Sequence, residues 1–105
     1  MYRPEDIMAR MDQLVQNLNG ILLMLKSTGK LQAENHEKLT DAIARDDFEG
    51  VVSCLKRLES IDRQLKFEKQ LYQDAVEEGR RTFVAAYGPA GGAWYDNMIA
   101  QIGSV

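Results

Sequence analysis

Ile7, Met11, Leu14, Leu18, Ile21 and Leu25 recur in alternating steps of four and three, with Met8, Val15 and Leu22 beside them. This is a heptad stripe about three positions wide, broader than a minimal coiled-coil seam. It predicts an amphipathic helix buried against more than one neighbour. Thr28, Gln32, Asn35, Leu39 and Ala42 continue the phase, with His36 and Ile43 on the flank. The spacing therefore predicts one helix over about residues 5 to 45 with a polar middle, Gly29 being the place for an alternative break. Pro4 suits its first turn, and Glu5 and Asp6 its positive end.

A second stripe reads Phe48, Val51, Leu55, Leu58, Asp62, Leu65, Lys69, Tyr72, Val76, Gly79, Phe83 and Ala86, widened by Val52, Ile61, Leu71 and Ala75. It predicts a helix over about 48 to 87. Asp46 and Glu49 have the spacing of a capping box in an aspartate variant, which places a turn at 46–47. Six acid-to-base pairs lie at i,i+4 in the favourable order: Asp6–Arg10, Glu34–Lys38, Asp41–Arg45, Glu59–Arg63, Asp62–Lys66 and Glu77–Arg81. Each contributes only about 0.2–0.5 kcal/mol, but their shared orientation is that of long exposed helices. The short turn makes the two helices antiparallel neighbours, each roughly 60 Å long. In that register Thr28, Gln32 and Asn35 face the level of Asp62 and Lys69. Such a layer fixes register or marks a conformational weak point.

The pattern changes at Tyr87. Tyr87-Gly88-Pro89-Ala90-Gly91-Gly92-Ala93 reads as a helix stop and a Gly/Pro linker over 88–93. Trp94, Met98 and Ile102 then recur at steps of four, with Tyr95 and Ile99 beside them. The expected organisation is a hairpin domain over 1–87, the linker, and a short amphipathic segment over 94–105. The fold class is all-α: a long antiparallel hairpin with a short C-terminal helix. A lone hairpin leaves its wide stripes uncovered. A second copy, the C-terminal segment or a different protein would complete a helix bundle. The C-terminal segment is accordingly a core cap, a detachable lid or an anchor for a partner's groove. The candidate partner-binding residues are Leu55, Leu58, Leu65, Tyr72, Val76 and Phe83, with Trp94, Met98 and Ile102.

Composition narrows the function. The chain has 105 residues, 16 acidic against 13 basic, for a net charge of -3. An acidic balance with no basic stripe argues against nucleic acid as partner. The longest apolar run, Ile21–Leu25, is far short of the ~20 residues of a membrane span. Attachment to a membrane surface is disfavoured because residues 94–105 carry no basic side chain. One cysteine, Cys54, allows no disulfide within the chain, and no secretory signal opens it, so a cytoplasmic setting is expected. The single histidine, His36, has no partners at metal-ligand spacing. A His36–Cys54 nucleophilic pair needs tertiary coincidence, and Asp46, Asp47 and Glu49 read as capping carboxylates before a metal site. No catalytic residue, cofactor or metal is expected. The partner is a protein: a helical client, or further copies of the chain in a structural or adaptor assembly such as a phage or secretion apparatus.

Two segments also carry a resemblance. Asp41-Ala42-Ile43-Ala44-Arg45-Asp46-Asp47-Phe48-Glu49-Gly50-Val51-Val52, followed by Leu55, Leu58 and Ile61, is similar to the acidic turn and Leu-rich helix of small flagellar type III export chaperones of the FliT/FlgN kind. Val84-Ala85-Ala86-Tyr87-Gly88-Pro89-Ala90-Gly91-Gly92 resembles the Tyr-Gly-x-x-Gly stretch after their last long helix. The likeness covers residues 31 to 92 loosely. It departs from the family where residues 62 to 72 run on without a helix boundary. The resemblance implies an export chaperone that shields the helical end of a flagellar or secretion-system subunit, with residues 94–102 folding over the binding surface.

Overall fold

The computed structural model describes residues 3–103; Met1, Tyr2, Ser104 and Val105, the outer ends of the expected hairpin and C-terminal segment, lie outside them. The chain forms an all-α helical hairpin: α1, Pro4–Ala44, and α2, Phe48–Gly103. Pro4 opens α1, and the backbone N–H groups of Asp6 and Ile7 donate to the Arg3 carbonyl. Pro4 itself has no N–H to leave unsatisfied there. Gly29 does not break α1. All eleven positions of the first stripe, from Ile7 to Ala42, are buried or half-buried, as a seam requires.

The turn is built by two adjacent aspartates. The Asp47 N–H donates to the Ala42 carbonyl at 2.9 Å and the Asp46 N–H to the Ile43 carbonyl at 3.2 Å. With Asp46 at φ 55°, this is a Schellman closure, in which a left-handed residue satisfies the last carbonyls of the helix. Asp47 then starts α2: its Oδ1 accepts from the Gly50 N–H at 3.1 Å. The cap of α2 is thus Asp47, one residue later than the expected Asp46–Glu49 box. Asp46 serves the preceding helix instead.

Over its first half the second stripe holds at Val51, Leu58, Leu65 and Tyr72, but Phe48 is exposed and the alternate positions fall one residue earlier than expected. The buried line of α2 runs Val51, Cys54, Leu58, Ile61, Leu65, Glu68 and Tyr72, while Leu55, Asp62 and Lys69 are exposed. The small thiol of Cys54 packs as a hydrophobe and takes the seam place that Leu55 was expected to hold. Beyond Tyr72 the expected phase holds through Val76, Gly79, Phe83 and Ala86. Of the six expected ion pairs, Asp41–Arg45 closes at 2.8 Å, and all six lie on exposed faces.

The described residues divide into two compact units, 23–70 and 3–22 with 71–103. In the first, α1 and α2 pair alone, joined by the turn. Thr28 Oγ1 donates to Glu68 Oε1 at 2.9 Å, Gln64 Nε2 donates to the same oxygen at 3.0 Å, and Gln32 Nε2 donates to Asp62 Oδ1 at 2.8 Å. The polar layer therefore forms with Glu68 in the place expected for Lys69. Glu68 is only 3% exposed and its Oε2 has no partner; Asn35 donates to the Leu31 carbonyl, yet its Oδ1 is also buried and unpartnered.

In the second unit α2 reverses at one residue. Gly88, at φ 73° and ψ -163°, is the sole non-helical position inside α2. Residues 89–93, expected as linker, are helical, so α2 consists of a stem over 48–87 and an arm over 89–103. The physical reason is local. Proline disfavours a helical residue before it and suits the first turn after it, so Gly88-Pro89 stops one helix and starts the next at once. The arm covers the stripes of this unit, one of the three covers the pattern allowed.

Candidate functional site

The arm and the surface it occupies form the candidate site. Small residues let it approach. Gly91 and Gly92 are buried; a Cβ on Gly91 would fall 2.7 Å from the Phe83 carbonyl oxygen and 2.7 Å from Tyr87 Cβ, and one on Gly92 3.0 Å from Val84 Cγ2. No side chain separates the backbones there, so the arm lies directly on the stem, running antiparallel to it. Four residues before Phe83 along the stem, Gly79 leaves the space that the Tyr95 ring enters.

Tyr95 is the anchor. It is fully buried, its Oη donates to the Val76 carbonyl at 2.5 Å, and its ring lies 5.6 Å from that of Phe83, tilted at 37°. Phe83 in turn lies 5.4 Å from Tyr87 at 58°. Phe83, Tyr95 and Met98 are the buried centre; Ile7, Met11, Leu14 and Val15 of α1, Val76 and Tyr87 of the stem, and Ile99 and Ile102 of the arm pack against it. Burying a side chain of this kind contributes about 1.5–3 kcal/mol, and Tyr95 and Met98 are the arm's large buried side chains, packed on Phe83 of the stem. Burial pushes the Tyr95 hydroxyl up to about 12, with smaller contributions from Tyr72 and Asp96. At the rim Arg80 donates to both carboxylate oxygens of Asp96, at 3.0 and 3.3 Å. Asp96 raises the guanidinium's pKa further above its ordinary value, first through these hydrogen bonds and then through its charge. The pair is exposed and acts as a geometric latch. Arg10 Cζ sits 5.8 Å from the centre of the Tyr87 ring.

The nine expected partner-binding residues separate. Leu58, Phe83 and Met98 are core; Leu65, Tyr72, Val76 and Ile102 are half-buried; only Leu55 and Trp94 are exposed. Tyr72, Val76, Phe83, Met98 and Ile102 meet in the unit that holds the arm, while Leu55, Leu58 and Leu65 belong to residues 23–70. The face of the arm is not the Trp94–Met98–Ile102 row. It runs through Gly91, Gly92, Tyr95, Met98, Ile99 and Ile102, and Trp94 stays 44% exposed. Reading the two small glycines as part of the helix, i−4 and i−3 to Tyr95, would have pointed to this face.

Among the described residues no group of three or more His, Cys, Asp or Glu is placed to hold a metal, and no helix is long and apolar enough to cross a membrane. His36 is exposed and Cys54 buried, and they line different surface hollows. Comparison with protein-family models, curated proteins and solved structures finds no match.

Proposed function

We propose that this chain is a non-enzymatic helical binding protein, and that the arm occupies a surface built for a helix from another protein. The observation that carries this is the single-residue reversal at Gly88, which seats an amphipathic helix on α1 and the stem through Tyr95 and Met98. Residues 7–15 and 76–87 offer an apolar groove between two helices, a standard receptor for an amphipathic helix. The arm is covalently attached, so it competes at high effective concentration with any client and sets a threshold for binding. The resemblance to flagellar export chaperones supplies the client class: the helical end of a flagellar or secretion-system subunit, held unassembled in the cytoplasm before export.

The test begins with a native pull-down through an N-terminal tag, read by mass spectrometry; a filament, cap or hook-junction subunit is the expected catch. Deleting residues 89–105 should tighten binding of that client. Because the deletion bares Phe83, a Val84→Cys, Gly92→Cys pair provides a second arm. The oxidised form pins the arm and should refuse the client, and reduction should restore binding. A pinned arm that binds the client as well as the free one would exclude displacement.

A further inference from the structure

Near the turn, α2 carries an apolar face that α1 leaves bare. Phe48 and Leu55 are 78% and 51% exposed, Val52 between them is half-buried, and Ile43 of α1 is 58% exposed. Leu55 directly follows Cys54 in the buried line of α2, and Phe48 lies one heptad earlier; Ile43 directly follows Ala42 in the buried line of α1. In an antiparallel pair the positions just after such lines fall on one flank. These side chains therefore share a face of residues 23–70, at the helical i, i+4, i+7 spacing used for docking.

We propose that this face binds a second copy of itself, α2 against α2 in antiparallel orientation about a two-fold axis near Val52. The spacing is self-complementary. Phe48 stands four residues before Val52 and Leu55 three after it, so an antiparallel copy sets Phe48 against Leu55 and the valines against each other at the axis. Glu49 and Lys56 edge the same face, both exposed and seven residues apart. The same register brings each within reach of the opposite charge on the copy. A two-fold interface makes every contact twice, so hydrophobic and ionic matches agree in one alignment. Residues 23–70 hold nine basic and nine acidic side chains, against four and seven in the rest of the chain. The docking unit is neutral, so two copies approach without net repulsion. The interface spans two or three helical turns, below the roughly 800 Å² per partner of a stable complex, so the dimer is weak and concentration-dependent. It uses residues 43–56, none of which belongs to the arm or its groove, and so stands independently of the client.

The full-length chain is to be followed by analytical ultracentrifugation from about 1 µM to about 1 mM, the range of weak association. A reversible monomer–dimer equilibrium is expected. F48S/L55S should weaken it at least about tenfold, with helicity by circular dichroism unchanged because both side chains are exposed. K56E should weaken it roughly three- to tenfold, and E49K/K56E should recover it. A monomer at every concentration would overturn the proposal and leave the face to a different protein. A dimer indifferent to F48S/L55S would also overturn it. A K56E defect that E49K fails to relieve would overturn the antiparallel register.

Discussion

Gly20, Gly29 and Gly79 all lie inside helices, yet they predict opposite outcomes on substitution. Nothing stands within 4 Å of a Cβ at Gly20 or Gly29, so Gly20→Ala or Gly29→Ala should raise stability by about 0.5–1 kcal/mol, through helix propensity alone. A Cβ on Gly79 would meet Tyr95 Oη at 2.6 Å and Leu14 Cδ2 at 3.0 Å. Gly79→Ala should therefore cost about 1–3 kcal/mol despite the better propensity. Urea midpoints of the three variants check the contrast. Tyr95 adds a pH dependence. Its folded-state pKa, about 12, lies above the ordinary 10, so its contribution is complete below pH 10 and fades as pH rises from 10 to 12. Tyr95→Phe should lower stability by about 1 kcal/mol at pH 7, through loss of the bond to the Val76 carbonyl, and flatten the alkaline decline. Denaturant titrations at pH 7, 10 and 11.5 measure both effects. At this scale the sequence is a poor guide: Tyr95 looks like a flanking residue beside Trp94, because its partner is a gap at Gly79, and an absent side chain leaves no mark in a hydrophobic pattern.

At the scale of elements, helix existence and the first seam were legible from spacing, because eleven consecutive heptad positions leave no second phase that fits. The second seam was not unique. Cys54, Ile61 and Glu68 compete with Leu55, Asp62 and Lys69 for the same steps, and the leucine is the more obvious hydrophobe. The packing favours the line that buries Ile61 with Leu58 and leaves Lys69 in water, at the cost of burying Glu68. An unpartnered buried carboxylate oxygen is expensive. Glu68→Gln keeps an acceptor for Thr28 and removes the charge, so it should raise stability by roughly 1 kcal/mol, read from the denaturation midpoint. The turn was located to within one residue, but its chemistry was assigned to one aspartate where the chain uses two. Asp47→Ala should cost about 1 kcal/mol through loss of the α2 cap. Asp46→Gly should stabilise, since glycine takes the left-handed conformation without the penalty a side chain incurs. Thermal melts of both variants distinguish the two roles.

For the whole molecule, the all-α hairpin was legible, and the return of the C-terminal segment was one of three anticipated covers. Residues 88–93 resemble a linker in the sequence because Gly and Pro are helix breakers in most settings. Here one glycine makes the reversal and Gly91 and Gly92 serve as contact surfaces within the arm. Which residues are free to meet a partner could not be read from the pattern, since seam and docking face share one periodicity. Trp94 gives this arrangement a practical consequence. It is the chain's only tryptophan, it rides on the arm, and it is half in solvent while the arm is seated. Light absorbed at the red edge of the protein spectrum is therefore emitted from one place, whose surroundings change when the arm leaves its groove. Emission shifted toward the red and more open to quenching by iodide would time the arm's departure in milliseconds, without any attached dye.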